Sequence, residues 1–166
     1  MDTITESLGL IRAPLRNRLR TDLAASVADV WALVGNPARM SEYSAGVERA
    51  EVRTDPLGAI TGYTLHFRPM QPGEPGIVAH DTMVWYEPGR GWASRSDRPE
   101  LFGLSDDLHV LTVEPSREGT LLTWDSHYQA QHLDATRAHY HDALSDIGQN
   151  LLARFGGRLI HVYATG

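Results

Sequence analysis

The chain has 166 residues and a net charge of −6, and it contains no cysteine and no lysine, all 15 of its basic residues being arginine. That composition excludes disulfides, thiolate chemistry and a Schiff-base lysine, and the acidic balance opposes a nucleic-acid-binding surface. Hydrophobic residues at 42% and charged residues at 22% are the balance of one ordinary globular domain, with a core expected near 16–157 and tails on either side.

No apolar run approaches the ~20 residues needed to cross a bilayer. Asp2 and Glu6 stand where a signal peptide would be basic, so a cytoplasmic location is the expectation. The lysine-free composition is of the kind that GC-rich actinobacterial coding produces.

The first element is a strand over 16–23, where Leu19, Thr21 and Leu23 alternate with Arg18, Arg20 and Asp22. Ser26 can cap a short helix carrying Val27, Val30, Trp31 and Val34 at helical spacing, which Gly35 ends. Asn36 and Pro37 then start a second short helix, one as cap and the other at the first helical position.

Strands follow near 47–53, 60–67, 77–86, 91–96, 108–114 and 120–129, separated by turn signals such as Glu87-Pro88-Gly89. The short connections imply antiparallel neighbours. A long helix over 134–155 places Ala138, His141, Leu144, Gly148, Leu151, Leu152 and Phe155 on one face, and Gly156-Gly157 stops it. The tail 158–166 either packs back or extends the helix.

This order resembles the START/Bet v1-like (SRPBCC) superfamily of polyketide cyclases and lipid-transport proteins. The likeness is carried by Ala25 to Val34, by Asn36-Pro37-Ala38-Arg39 with Tyr43 and Gly46-Val47, by Tyr86 to Arg90, and by Gly119 to Trp124. It implies an α+β helix-grip fold, with a seven-stranded antiparallel sheet wrapped around the C-terminal helix and two short helices after the first strand.

One helix cannot cover such a sheet, so an apolar cavity for a hydrophobic small molecule is expected between them. Period two turns Tyr63, Leu65 and Phe67 inward, and likewise Trp124, Ser126 and Tyr128. Leu111 and His109 share a face of their strand, although Leu108 and Val110 make the opposite face apolar too. The strand near 77–86 leaves Met83 and Trp85 competing with Val84 and Tyr86 for the inside.

From the helix, His141, Leu144, Gly148 and Leu151 complete the expected ligand set. Gly148 makes room for a ligand or brings the backbone close to the sheet, with equal weight. His109 and Tyr128 are the candidate catalytic pair for proton transfer, the histidine kept neutral by an apolar site.

No cofactor and no metal site is expected. His139 and His141 project about 200° apart on a helix and cannot share an ion. Two functions remain open. One is a binding protein for a polyketide- or lipid-like molecule, serving carriage, sequestration or self-resistance in a bacterial natural-product pathway. The other is a cyclase- or aromatase-type enzyme using histidine and tyrosine.

Overall fold

The structure is a computed structural model and describes residues 3–164. Asp2, which bears on the expected location, and the last two residues of the tail lie outside this range. Among the described residues, eight strands form one antiparallel sheet in the order β2-β3-β4-β5-β6-β7-β1-β8. The strands are β1 (Leu15–Leu23), β2 (Val47–Thr54), β3 (Ile60–Phe67), β4 (Val78–Glu87), β5 (Gly91–Ser96), β6 (Leu104–Pro115), β7 (Thr120–Ala130) and β8 (Gly157–Ala164).

Three α-helices accompany them: α1 (Ile4–Ser7), α2 (Val27–Val34) and α3 (Leu133–Phe155). Short 3-10 helices occupy Pro37–Glu42 and Pro99–Phe102. Among the described residues no helix is long and apolar enough to cross a membrane.

Local chemistry accounts for the corner after β1. Ser26 Oγ accepts from the Asp29 amide at 3.1 Å, and Asn36 Oδ1 accepts from the Ala38 amide at 3.1 Å. Each side chain satisfies a donor that the helix start leaves unpaired.

The expected seven strands become eight, because the tail packs back as β8 against β1. Gly156 and Gly157 make the reversal, with φ of 72° and 112°. A Cβ at Gly157 would collide with the Asp22 carbonyl, so glycine is the residue that lets the chain return along β1. The helix α3 therefore lies over β1, β7 and β8, displaced from β2–β5.

A main core fills the concave side. Leu19, Leu23, Tyr63, Trp92, Leu111, Leu122 and Trp124 of the sheet meet Leu144, Ile147 and Leu151 of α3, with α2 closing one end. A second, smaller cluster lies on the convex side, where Leu10 and Ile11 of the N-terminal segment pack on Val84, Trp85, Ala93, Leu108 and Val110. That segment explains why β6 is apolar on both faces. On the same side His127 is only 6% exposed, and Arg18 pairs with Asp125 at 2.6 Å. The outer face of β7 is thus covered at Asp125 and His127.

The ambiguity on β4 has a geometric cause. Its register with β5 shifts between Met83 and Trp85. The irregularity breaks period two, as a bulge does. Met83 and Tyr86 pack on the main core, and Val84 and Trp85 on the outer cluster.

Candidate ligand site

The concave face begins with an aromatic floor. Trp92 meets Trp124 edge-on at 5.4 Å and Tyr63 at 5.9 Å. Trp92 Nε1 donates to the Val34 carbonyl at 2.9 Å, so its one polar atom is satisfied and the ring is free to act as packing surface.

Two residues further along each strand the chemistry changes. On β5 Trp92 is followed by Ser94, on β6 Leu111 is preceded by His109 and Asp107, and on β7 Trp124 is followed by Ser126 and Tyr128. Since inward residues recur every second position, and since Ser94 pairs with His109 and His109 with Ser126, these polar groups form one patch.

His109 is its centre. Nδ1 lies 3.0 Å from Ser126 Oγ, and Nε2 lies 3.4 Å from Asp107 Oδ2. The Asp107 carboxylate also accepts from the Ser96 amide at 3.1 Å. Beside it, Asp81 Oδ2 accepts from the Tyr63 hydroxyl at 2.9 Å and from Ser94 Oγ at 3.3 Å. Asp81 and Asp107 are 5% and 2% exposed.

The bulge in β6 helps to place Asp107. Ser105 pairs with Gln129 and Leu108 with His127, so two residues, Asp106 and Asp107, stand opposite Tyr128 alone. Asp106 takes a φ of 50° there, and aspartate tolerates that conformation better than most residues.

The helix supplies the cover. The Tyr140 ring stacks on Tyr128 at 5.1 Å and lies 5.6 Å from His109. The Tyr128 hydroxyl donates to Asn17 Oδ1 at 2.6 Å. The candidate pair thus shares one inward face but is joined through Tyr140, with no direct hydrogen bond between them.

Ionisation follows from these neighbours. Burial pulls the His109 pKa down, but the hydrogen bond and charge of Asp107, with the charge of Asp81, outweigh it and raise the pKa. Two buried carboxylates stand beside the imidazole where an apolar site was expected, and the shift is upward where an apolar site would depress it. Burial works against the Asp107 carboxylate, yet the His109 contact leaves its pKa lowered. Burial raises Asp81 and pushes Tyr128 up to about 12. Tyr63 and Tyr140 are raised too, first by burial and then by nearby carboxylates. A histidine flanked by a carboxylate and hydroxyls can hold or pass a proton. Ser126 is fully buried, with its Oγ against the imidazole.

The space between helix and sheet is occupied. Leu144 and Leu151 are buried in the main core with Leu19, Leu111 and Trp124. A Cβ on Gly148 would lie 3.0 Å from Leu19 Cδ1 and 3.4 Å from Leu159 Cδ1. Of the two readings of Gly148, close approach to the sheet is the one the contacts match.

A cleft of about 140 Å³ instead opens between β4, β5 and the Pro99–Phe102 helix, lined by Ala79, Ser96, Leu101 and Phe102 among others. Ala79 and Ser96 are the next inward positions beyond Asp81 and Ser94. Phe102 packs edge-on against Phe67 at 5.7 Å and roofs this end. A shallower depression of about 310 Å³ lies across the same segment, around Gly103, Ser105 and Gln129.

Of the residues singled out from sequence, Tyr63, His109, Ser126 and Tyr128 come together in or beside the polar patch. Leu65, Phe67, Leu111 and Trp124 join the surrounding core. His141 does not reach the patch: its side chain is 46% exposed and sits 3.4 Å from Asp142. At about 100° per residue, Tyr140 lies roughly 30° from the centre of the buried stripe and His141 roughly 70°.

Asp81, Ser94, Asp107 and Tyr140 belong to the site but were not singled out from sequence. Counting back two from His109 would have found Asp107. The β4 register shift hid Asp81. Among the described residues no group of three or more metal-ligating side chains converges.

The family described as polyketide cyclase / dehydrase and lipid transport matches residues 16–154. No curated protein matches the sequence. Among solved structures, a START superfamily protein from Mycobacterium smegmatis is similar with a TM-score of 0.66 at 11% identity, over 86% of this chain and 97% of the other. The protein XoxI from Bacillus cereus gives 0.66 at 14% identity, over 84% and 95%. The ginseng major latex-like protein 151 from Panax ginseng gives 0.63 at 13%, over 84% and 98%. At these identities the likeness is one of fold.

Proposed function

The chain belongs to the polyketide cyclase/dehydrase and lipid-transport family, and on that premise we propose that it binds a small, mainly apolar molecule of polyketide- or lipid-like chemistry. The ligand lies on the concave face with its polar end against the His109 patch. The observation that supports this is the change along β5, β6 and β7 from Trp92, Leu111 and Trp124 to Ser94, His109 and Ser126. An apolar site with a few convergent polar groups is the usual form of a small-molecule site.

The 140 Å³ cleft is smaller than the ~300 Å³ at which such pockets begin. Binding therefore requires Leu101 and Phe102 to move aside. The role is carriage, sequestration or self-resistance in a bacterial natural-product pathway, which the lysine-free composition supports as an actinobacterial trait. Mass spectrometry of the natively purified chain should find a retained apolar molecule. A protein that is empty, and that takes up neither a fatty acid nor an aromatic polyketide in titration, overturns the reading.

A second reading is favoured by one contact. His109 at 3.4 Å from Asp107 and under the Tyr140 ring is built like a general acid–base group, as a cyclase- or aromatase-type enzyme needs.

A further inference from the structure

Asp107 stands where the sheet's own pairing gives out on both sides. The β5–β6 register runs from Gly91 opposite Thr112 to Ser94 opposite His109 and stops there. The β6–β7 register skips Asp106 and Asp107 at the bulge. A bulged residue is left out of the ladder that fixes its neighbours, so other contacts must hold this one. The Ser96 amide donates to its carboxylate at 3.1 Å, and Arg95 Nη1 donates to its carbonyl at 2.8 Å.

Arg95 also reaches away from the site. Its Nη2 donates to the carbonyl of Leu10. Leu10 lies in the segment that precedes β1, where α1 is closed by a capping box between Thr3 and Glu6 and the Leu10 amide returns to the Thr5 carbonyl at 3.0 Å. Leu10 and Ile11 rest on the outer cluster of Val84, Trp85, Ala93, Leu108 and Val110. One guanidinium therefore joins this segment to the back of Asp107. Arginine suits the task, because its rigid fork presents several donors in fixed directions.

We propose that Arg95 is a positioning residue: from the convex side it clamps the Asp107 main chain, so that the seating of the N-terminal segment governs the contact between Asp107 and His109 on the concave side. This rests on the ligand-binding reading, in which the His109 patch meets the ligand's polar end, and adds what regulates that patch.

The test follows the His109 imidazole by NMR titration in the full, ligand-free chain. The groups facing it are Asp107 on its own strand, Asp81 from β4, and Tyr140 from α3 with Tyr128 behind it; His127 acts on it from the other face of β7. Arg95→Met should lower the midpoint by about 0.5–1 unit, a part of the roughly 1–3 units that a close opposite charge supplies. The sign is diagnostic, since removing a nearby cation with nothing else displaced would raise it. The amide of Ser96 should also exchange about two- to tenfold faster, the worth of one hydrogen bond.

A second variant keeps the guanidinium. Leu10→Ala combined with Ile11→Ala should loosen the segment, read as faster exchange of the amide at position 10, and should lower the midpoint in the same direction. Val84→Ala thins the same outer cluster but leaves both hydrogen bonds of the clamp, and should not move it.

A midpoint that stays or rises in Arg95→Met overturns the clamp. If that variant does not fold, the double alanine variant decides: a loosened segment with an unmoved midpoint overturns the proposal, as does an equal fall in Val84→Ala. No ligand enters these measurements, so their failure leaves the binding function standing. A chain that takes up no apolar molecule overturns the binding function and leaves the clamp.

Discussion

His109 Nε2 lies 3.4 Å from Asp107 Oδ2, two positions earlier on the same strand, and the carboxylate is 2% exposed. The two side chains share an inward face because β-strand side chains repeat every second residue. Their pairing, with Asp81 beside them, shapes the ionisation of the patch.

The pairing gives a definite pH dependence. The His109 pKa is raised in the folded chain, so its stabilisation is complete below the unfolded value near 6.5 and is lost as pH rises through the folded value. The Asp107 pKa is lowered, so its contribution is complete above about 3.9 and is lost as pH falls through the folded value. The pair stabilises most between about pH 4 and 6.5. NMR titration of the imidazole should place its midpoint above 6.5 in the wild type and lower in Asp107→Asn. That variant should lose about 1–3 kcal/mol in urea unfolding. An unmoved midpoint would show that Asp107 does not control His109.

His109→Ala and Tyr128→Phe separate binding from catalysis. The Tyr128 hydroxyl is already engaged by Asn17 at 2.6 Å, so its removal should cost about 1 kcal/mol of stability and only a small part of ligand affinity. For a binding protein both variants should show parallel, small losses in affinity and in pathway product. Loss of a general acid or base would instead lower turnover by about 10²–10⁴-fold with affinity nearly intact. We expect the parallel losses.

Gly148 tests the contact between α3 and β1. A Cβ added at this position would stand 3.0 Å from Leu19 Cδ1, so Gly148→Leu should overpack the interface and cost about 1–3 kcal/mol. Gly148→Ala should be near neutral, because the gain of about 1 kcal/mol in helix propensity offsets a tight contact. Denaturant unfolding measures both. A Leu variant as stable as wild type, with binding abolished, would restore the alternative that glycine there makes room for ligand.

Phe102 tests the route of access. Its edge-on contact with Phe67 at 5.7 Å closes the cleft. Phe102→Ala should speed association of an apolar ligand in stopped-flow fluorescence, using the Trp92 and Trp124 floor as reporter. The aromatic contact itself is worth about 0.5–1.5 kcal/mol, so the fold should persist. Unchanged association would place the route elsewhere.

Local sequence alone determined most of the elements. Alternation at Leu19, Thr21 and Leu23, the caps at Ser26 and Asn36, and the stripe at Leu144, Gly148 and Leu151 each arise within a few residues, where backbone periodicity and hydrogen-bond demand act directly. The inward faces of β3 and β7, and with them Tyr63, Trp124, Ser126 and Tyr128, were legible for the same reason.

Tertiary structure decided the rest. The β4 register shift between Met83 and Trp85 divided a face that period two could not assign. Whether 157–164 forms a strand depended on the free edge of β1, at the opposite end of the chain. The acidity around His109 came in part from Asp81, which pairing across β5 brings alongside it. The choice of Tyr140 over His141 turned on a difference of roughly 40° about the helix axis. Each of these is a relation between elements, fixed by how one strand or helix seats on another, and no local window of residues contains it.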